Sequence, residues 1–167
     1  MTRIKLCGLT RPCDIEWANT LMPDYIGFVF AQKSRRYVAP ERASALRAGL
    51  DSGIRAVGVF VNESPEAVAA LLNDGVIDIA QLHGGEDADY ILLDNGPGGT
   101  GTVFDWSLLK AFERPYFLAG GLGPENVAEA IKALHPFAVD VSSGIETDGV
   151  KDYAKMTAFV NAARDAH

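Results

Sequence analysis

Segments typical of β-strands alternate with segments typical of α-helices along this chain. The strand segments are short apolar runs, and several helical segments open with a proline or a capping residue. One run, YIGFVF at residues 25–30, is apolar throughout, as expected for a strand that is buried on both faces. Regular alternation of this kind predicts an α/β protein with a parallel sheet and helices outside it. No low-complexity tract interrupts the pattern, so we predict a single domain over residues 1–167.

The boundaries of the predicted elements follow from the apolar runs and the breaker residues. The predicted strands cover residues 4–7, 25–30, 54–61, 77–82, 91–93, 116–119 and 138–141. The predicted helices cover residues 13–21, 40–46, 64–73, a segment that follows 124–126, and 153–164. We expect Thr10 to open and cap the first helix with Pro12, and Ser64 to cap the third with Pro65 in its first turn.

Composition excludes several classes of function. A net charge of −7 argues against binding to nucleic acids or to anionic membranes. The chain contains no apolar run of about 18 residues, so we expect no transmembrane helix, and its first residues lead directly into a strand rather than a signal segment. Two cysteines are too few for a disulfide framework. We therefore expect a cytoplasmic protein.

Two residues at predicted strand ends are candidates for catalysis. Cys7 closes the first strand before Gly8, and in α/β proteins the carboxyl ends of strands form the site. The alternative for Cys7 is a packing role, because free cysteine is often buried. Asp94 follows the 91–93 strand and is a candidate acid at the same rim. The alternative for Asp94 is a turn before Asn95.

Three loops of small residues follow predicted strands. They are GGTG at 98–101, GGLG at 120–123 and SSG at 142–144. Each lies between a strand and the next helix, so that backbone amides can face a phosphate. In barrels of parallel strands, the last two such loops commonly form the phosphate site. The alternative is that glycine and serine only make turns here. We predict a phosphate site at Gly120, Gly121, Ser142, Ser143 and Gly144.

Three charged or titratable residues are further candidates for binding a substrate. Arg36 is suited to bidentate capture of a carboxylate, whereas we expect Lys33 and Arg35 to be solvated loop charges. His83 follows the fourth strand, where a direct role and a role as a supporting donor are equally open. Asp140, in the last strand, is predicted to orient or cap the loop that follows it.

Eight segments of the chain resemble one family, the phosphoribosylanthranilate isomerases of tryptophan biosynthesis. They occur in the family's order and extend nearly from end to end, so together they are highly specific, although each alone is weak. The segments are KLCGLTRP (5–12), GFVFAQKSRRYVAP (27–40), VGVFVN (57–62), QLHG (81–84), LLD (92–94), GGTG with FDW (98–106), AGGLGPENV (119–127) and DVSSGIET (140–147). The resemblance implies a TIM-type (βα)8 barrel.

The resemblance also implies a reaction. This is the Amadori rearrangement of N-(5-phosphoribosyl)anthranilate to 1-(2-carboxyphenylamino)-1-deoxyribulose 5-phosphate. Asp94 would be the general acid that protonates the ribose ring oxygen, and Cys7 the general base that takes the proton from C2. Such a proton shuttle needs one acid and one base on the two sides of the substrate.

The resemblance further implies which residues bind the substrate. Arg36 would hold the anthranilate carboxylate, and the loops at Gly120-Gly121 and 142–144 would hold the phosphate. We add His83 and Asp140 to the binding residues. No cofactor and no metal is implied. The expected partner is a small phosphosugar, and the chain is expected to be a monomer or a homodimer.

The chain departs from the family between His83 and Ile91. Family members have a helix, a strand and a second helix at this point, whereas here only residues 84–90 remain. A parallel crossover normally takes a dozen or more residues, and a return of seven residues spans at most ~25 Å. We therefore expect a barrel without its fifth strand and the flanking helices. A seven-stranded barrel, an open barrel covered by another subunit, and a sequence lacking residues of the natural protein all remain open.

Two other functions compete with the active isomerase. A shortened barrel could bind a phosphosugar without placing Asp94, which would make it a binding scaffold rather than an enzyme. A related isomerase could carry out the same rearrangement on a substrate of histidine biosynthesis. Arg36 favours the anthranilate substrate over that one, because it supplies a partner for the carboxylate.

Overall fold

The computed structural model describes residues 1–82 and 116–166, together with the backbone of residues 92–93. The chain divides into two compact units. The N-terminal unit is Leu6–Ala88, and the C-terminal unit combines Met1–Lys5 with Asp89–His167. The predictions for His83, Asp94 and the loop 98–101 lie outside the described residues. Within the described part of the chain, no helix has the length and apolar character needed to cross a bilayer.

The N-terminal unit is a parallel sheet with three helices. Its strand order is β4-β3-β2, with the end of β1 beside β2. In register, Tyr25 lies opposite Arg55, and Val57 lies opposite Ile79. The elements in chain order are β1 (Arg3–Cys7), α1 (Pro12–Leu21), β2 (Tyr25–Val29), α2 (Pro40–Ala48), β3 (Arg55–Phe60), α3 (Pro65–Asn73) and β4 (Ile79–Leu82).

The core of this unit follows from its apolar strands. Every residue of β2 is buried, as the unbroken apolar run predicts for a strand covered on both faces. The rings of Phe30 and Phe60 stack with their centroids 5.1 Å apart. Helix α3 begins as predicted, because the Ser64 hydroxyl accepts a hydrogen bond from Ala67 N and Pro65 occupies the first turn.

The C-terminal unit has the same alternating pattern. Its parallel strands are ordered β5-β6-β7, and the first residues of β1 lie beside β7, where Arg3 N donates to the Phe137 carbonyl. All four residues of β7 are buried. The elements are β5 (Leu92–Leu93), β6 (Phe117–Leu118), α4 (Val127–Leu134), β7 (Ala138–Val141), a 3-10 turn (Ser143–Ile145), β8 (Glu146–Thr147), β9 (Val150–Lys151) and α5 (Tyr153–Arg164).

The predicted cap of the first helix is wrong. Arg11, not Thr10, is the N-cap residue of α1, and neither side chain caps the helix. The buried carboxylate of Asp14 takes that role instead: its Oδ2 accepts hydrogen bonds from Thr10 N and Arg11 N, each at 2.9 Å. A carboxylate in the first turn also suits the positive end of the helix dipole. The helix dipole therefore favours the charged Asp14 over the neutral Thr10 at this end of α1.

The antiparallel pair β8–β9 was not among the predicted elements. Its register places Thr147 opposite Val150, so that Asp148 and Gly149 form a two-residue turn. Both turn residues have positive φ, 51° and 79°, as a type I′ turn requires. The Asp-Gly pair is itself a hairpin signal. The two-residue strands were too short to show an alternating pattern.

Candidate functional site

Cys7 is a buried thiol at the carboxyl end of β1, in the N-terminal unit. Its residue is 8% exposed and packs with Val29 and Val59. Gly27 lies so close that an added Cβ would be 2.6 Å from the Cys7 sulfur. The position therefore agrees with the predicted strand end, and the absence of a side chain at Gly27 leaves the space that the thiol occupies.

The chain turns sharply after Cys7. Gly8 has a φ of 79°, and its N–H donates to the Gly27 carbonyl. The turn then leads into α1. There the Asp14 carboxylate accepts hydrogen bonds from Thr10 N and, at 2.7 Å, from the Arg11 guanidinium. That bond to Asp14 is the main cause of a raised pKa for Arg11. The backbone on the carboxyl side of Cys7 is thus fixed by hydrogen bonds to buried groups.

Arg36 lies in a loop that returns to the end of β2. Val38 N donates to the Val29 carbonyl, and the Ser34 hydroxyl accepts from Arg36 N at 3.1 Å. Arg36 is half-buried, whereas Lys33 and Arg35 are exposed. The prediction that Lys33 and Arg35 are loop charges on the surface is confirmed. The N-terminal unit thus carries Cys7 and Arg36 at the carboxyl ends of neighbouring strands.

The glycine loop, residues 120–123, lies in the C-terminal unit between β6 and α4. Gly120 and Gly121 have φ values of 87° and 65°, a region that favours glycine. Asn126 braces this loop from the start of α4, because its amide donates to the Gly121 carbonyl at 2.9 Å and its Oδ1 accepts from Gly123 N at 2.8 Å. The loop is therefore held in one conformation by a side chain that sequence reasoning did not single out.

The serine loop, residues 142–144, contacts the glycine loop. A Cβ added at Gly144 would overlap the Leu122 carbonyl oxygen and lie 3.0 Å from Gly123 Cα. Two backbone segments approach this closely only where one of them carries no side chain. The structure thus brings into contact the two loops that the sequence predicts for phosphate, at Gly144 against Leu122 and Gly123. The phosphate roles of Gly120, Gly121, Ser142, Ser143 and Gly144 stay predictions.

Asp140 forms a buried ion pair with Lys5. The Lys5 ammonium donates to Asp140 Oδ2 at 2.7 Å, and the two side chains are 1% and 8% exposed. The other oxygen, Oδ1, is buried without a hydrogen-bond partner among the described residues. The described contacts of Asp140 thus run to the neighbouring strand rather than to the serine loop. Its predicted role as a substrate-binding residue stays a prediction.

A second buried ion pair lies directly behind the serine loop. Lys151 Nζ is 2.7 Å from Glu146 Oε1 and donates to the Ser142 carbonyl at 2.9 Å. Both residues belong to the β8–β9 hairpin, and sequence reasoning missed them. The signal that could have pointed to them is the Asp148-Gly149 turn, which folds the two short strands onto each other.

Other predictions concern residues or groups that the structure leaves untested. His83 and Asp94 lie outside the described residues, so their roles stay predictions. Among the residues that the structure describes, no group of His, Cys, Asp and Glu side chains converges as metal ligands would. The expectation that no cofactor is needed stays a prediction as well.

Comparison with known families identifies most of the chain. The family model of N-(5'-phosphoribosyl)anthranilate isomerase matches residues 4–92 and 85–162. The two matches overlap at residues 85–92, so the family pattern is interrupted there. At this place the chain lacks the residues for the helix, strand and second helix that the family has.

Individual relatives and solved structures agree with the family match. The isomerase of Thermoanaerobacter sp. (strain X514) is 42% identical over 201 residues, which cover 98% of each chain. The crystal structure of phosphoribosyl anthranilate isomerase from Thermus thermophilus has a TM-score of 0.89 at 33% identity, covering 99% of this chain and 100% of that one. Another isomerase structure holds reduced 1-(o-carboxyphenylamino)-1-deoxyribulose 5-phosphate, with a TM-score of 0.86 at 34% identity and the same coverage.

The lengths of these alignments measure the missing segment. An alignment of 201 positions that takes in 98% of a 167-residue chain leaves about 37 positions without a residue of this chain. That length suffices for the absent fifth strand of the family with a helix on each side. The fold is accordingly the TIM-type (βα)8 class in a shortened form. By family model, sequence identity and fold, this chain belongs to the N-(5'-phosphoribosyl)anthranilate isomerase family.

Proposed function

We propose that this chain catalyses the Amadori rearrangement of N-(5-phosphoribosyl)anthranilate in tryptophan biosynthesis. The observation that carries the proposal is the buried thiol of Cys7 at the end of β1, in the position of the family's KLCGLTRP segment. The family membership supplies the substrate. The remaining family segments that bear the proposed site residues are all present in the chain, despite the missing strand.

The reaction is a transfer of protons within one substrate. Asp94 donates a proton to the ribose ring oxygen, the ring opens, and an iminium forms between C1 and the anthranilate nitrogen. The iminium makes the hydrogen on C2 acidic, and the Cys7 thiolate removes it to give an enolamine. C1 then gains a proton and the C2 hydroxyl loses one, which gives the ketone and restores both catalytic groups. A positioned acid or base typically accelerates such a step by 10²–10⁴-fold. We therefore expect the rate to fall by about that factor when either the Cys7 thiol or the Asp94 carboxyl is removed.

The proposal assigns a binding group to each end of the substrate. Arg36, half-buried after β2, would pair with the anthranilate carboxylate in a bidentate fashion. The glycine and serine loops would hold the phosphate through backbone amides, and their mutual contact at Gly144 supports this assignment. Asp140 Oδ1, which has no hydrogen-bond partner within residues 1–82 and 116–166, would accept a hydrogen bond from a substrate hydroxyl, because a buried oxygen without a partner is costly.

Turnover of the substrate tests the catalytic assignments. We expect Cys7→Ala and Asp94→Asn each to slow the loss of phosphoribosylanthranilate fluorescence by about 10²–10⁴-fold, while the circular dichroism spectrum stays that of the wild type. Cys13→Ala is the matched control, since Cys13 is a half-buried thiol on α1, and it should keep full activity. Full turnover in either of the first two variants would refute the roles assigned here.

The same experiment separates the enzyme from a binding scaffold. A scaffold would bind the reduced product 1-(o-carboxyphenylamino)-1-deoxyribulose 5-phosphate but would leave phosphoribosylanthranilate unchanged. The active isomerase binds the reduced product and also consumes phosphoribosylanthranilate. An intact mass equal to that of residues 1–167 would show that the trimmed chain itself was tested. Whether the chain is a monomer or a homodimer, and its cytoplasmic location, remain predictions.

A further inference from the structure

We propose that Lys151 is a positioning residue for phosphate binding. It holds the Ser142 carbonyl and thereby aims the Ser143 N–H at the phosphate of the substrate. The inference rests on the proposed function, because it assigns the serine loop to the phosphate of that substrate. It goes further in naming a residue outside the loops that controls their affinity.

The contacts of Lys151 place its ammonium behind the serine loop. Lys151 is 4% exposed, and its Nζ donates to the Ser142 carbonyl at 2.9 Å and lies 3.4 Å from the Ser142 hydroxyl oxygen. The third neighbour is Glu146 Oε1 at 2.7 Å. An ammonium has three N–H donors, which is enough for these three contacts. Lys151 is thus fixed to Ser142 by hydrogen bonds rather than reaching into solvent.

The planarity of the peptide bond carries the effect from Ser142 to Ser143. The peptide between them is trans, so the carbonyl of Ser142 and the N–H of Ser143 point in opposite directions. Since the carbonyl points toward the buried Lys151, the N–H points to the other side of the loop. Without Lys151, the Ser142 carbonyl loses this charge-assisted hydrogen bond, and the peptide plane is held less firmly.

The effect is geometric rather than a direct attraction between Lys151 and the phosphate. Glu146 offsets the charge of Lys151 at 2.7 Å, and both side chains are buried. A neutral pair contributes little long-range attraction to an anion. Loss of Lys151 is therefore expected to weaken phosphate binding through the orientation of the loop amide, and to leave the anthranilate end of the site unchanged.

The test compares variants that differ only in the donor to Ser142. Removal of Lys151 alone would leave Glu146 as a buried unpaired charge, which is strongly destabilising. The comparison is therefore between Glu146→Gln and the double variant Glu146→Gln/Lys151→Met. Lys155→Met is the matched control, because the exposed Lys155 also donates to a carbonyl of this hairpin, that of Glu146, at 2.6 Å, but does not touch Ser142.

Calorimetric titration with inorganic phosphate and with anthranilate measures the two ends of the site separately. The double variant should bind phosphate about tenfold more weakly than Glu146→Gln, with anthranilate affinity unchanged, since one charge-assisted hydrogen bond organises the loop. In turnover, KM should rise by about the same factor, with kcat within about twofold of that of Glu146→Gln. Lys155→Met should match the wild type in both titrations.

Several outcomes would overturn the inference. Equal phosphate affinities for Glu146→Gln and the double variant would do so, as would a parallel loss of phosphate and anthranilate binding. If the double variant does not fold, Glu146→Gln/Lys151→Leu takes its place, since leucine also lacks a donor, and failure of both to fold would assign Lys151 to stability alone. Because phosphate binding is measured without turnover, a wild type that binds phosphate but is inactive would refute the proposed function and not this inference.

Discussion

Gly27 packs against Cys7, and Gly27→Ala tests how much the position of the Cys7 thiol matters. The added Cβ would lie 2.6 Å from the Cys7 sulfur, 3.1 Å from its Cα and 3.2 Å from its Cβ. Non-bonded heavy atoms pack at about 3.5–4.0 Å, so the thiol must move by about 1 Å or the two strands must separate. Overpacking of this kind costs about 1–3 kcal/mol of the free energy of unfolding.

The expected loss of activity is larger than the loss of stability alone would produce. A misplacement of about 1 Å can cost 10²-fold in rate, which corresponds to about 2.7 kcal/mol of transition-state stabilisation. We therefore expect kcat/KM for phosphoribosylanthranilate to fall about 100-fold in folded Gly27→Ala protein. In a Cys13→Ala background, the rate at which Cys7 reacts with a thiol reagent should change as well, since the thiol is displaced.

Gly58→Ala is the matched control for this prediction. A Cβ at Gly58 would lie 2.8 Å from both Ile77 and Phe60, so the variant overpacks β3 of the same unit without touching Cys7. It should lose stability to a similar extent, measured by urea denaturation, and keep kcat/KM within a few fold when corrected for the folded fraction. If Gly27→Ala and Gly58→Ala lose activity equally, the reasoning about the thiol is refuted.

Three further predictions follow from individual contacts. Asp14→Ala should lower the free energy of unfolding by about 2 kcal/mol, because two backbone N–H groups lose their acceptor, and Asp14→Asn should recover part of it; equal denaturation midpoints for Asp14→Ala and the wild type would contradict this. Gly144→Ala should weaken binding of inorganic phosphate in a titration, since the added methyl forces the two loops apart, whereas Gly49→Ala, with its nearest Cβ contact at 3.7 Å, should bind phosphate as the wild type does. The pKa of Asp152 is lowered, first by the Thr147 hydroxyl and then by backbone N–H groups, so Asp152 stabilises the fold above the ordinary pKa of an aspartate, about 3.9, and loses this contribution as the pH falls through its lower folded value. The urea midpoint of Asp152→Ala should thus lie below that of the wild type at pH 7 and converge with it in acid; a constant difference would show that the carboxylate charge is not the cause.

The sequence predicts the strands and helices of this chain well because each has a strong local signal. The strands and helices for which both ends were predicted lie within two residues of those ends, whereas the 3-10 turn and the β8–β9 pair were not predicted. The unbroken run of β2 and the Ser64-Pro65 start of α3 need no tertiary context to be recognised. The predicted sites at Cys7 and at the two small-residue loops likewise depend on where strands end, which the apolar runs define.

The features that sequence reasoning missed depend on contacts between distant or buried polar groups. Thr10 looked like the cap of α1, but the first turn is instead held by the buried carboxylate of Asp14, which accepts from Thr10 N and Arg11 N. Lys151 and Glu146 are ordinary charged residues in the sequence, and only the hairpin folds them against Ser142. Lys5, in an apolar strand, gave no hint that its partner is Asp140, 135 residues away.

The contact between Gly144 and Leu122 limits how this site can be transplanted. Each loop provides part of the surface against which the other is shaped, and Asn126 and Lys151 support them from behind. If the serine loop alone were grafted onto another barrel, Gly144 would lose its contact with the glycine loop and would face a different backbone. The transferable module is the whole segment from β6 through the start of α5, and substitutions in its two loops should combine non-additively.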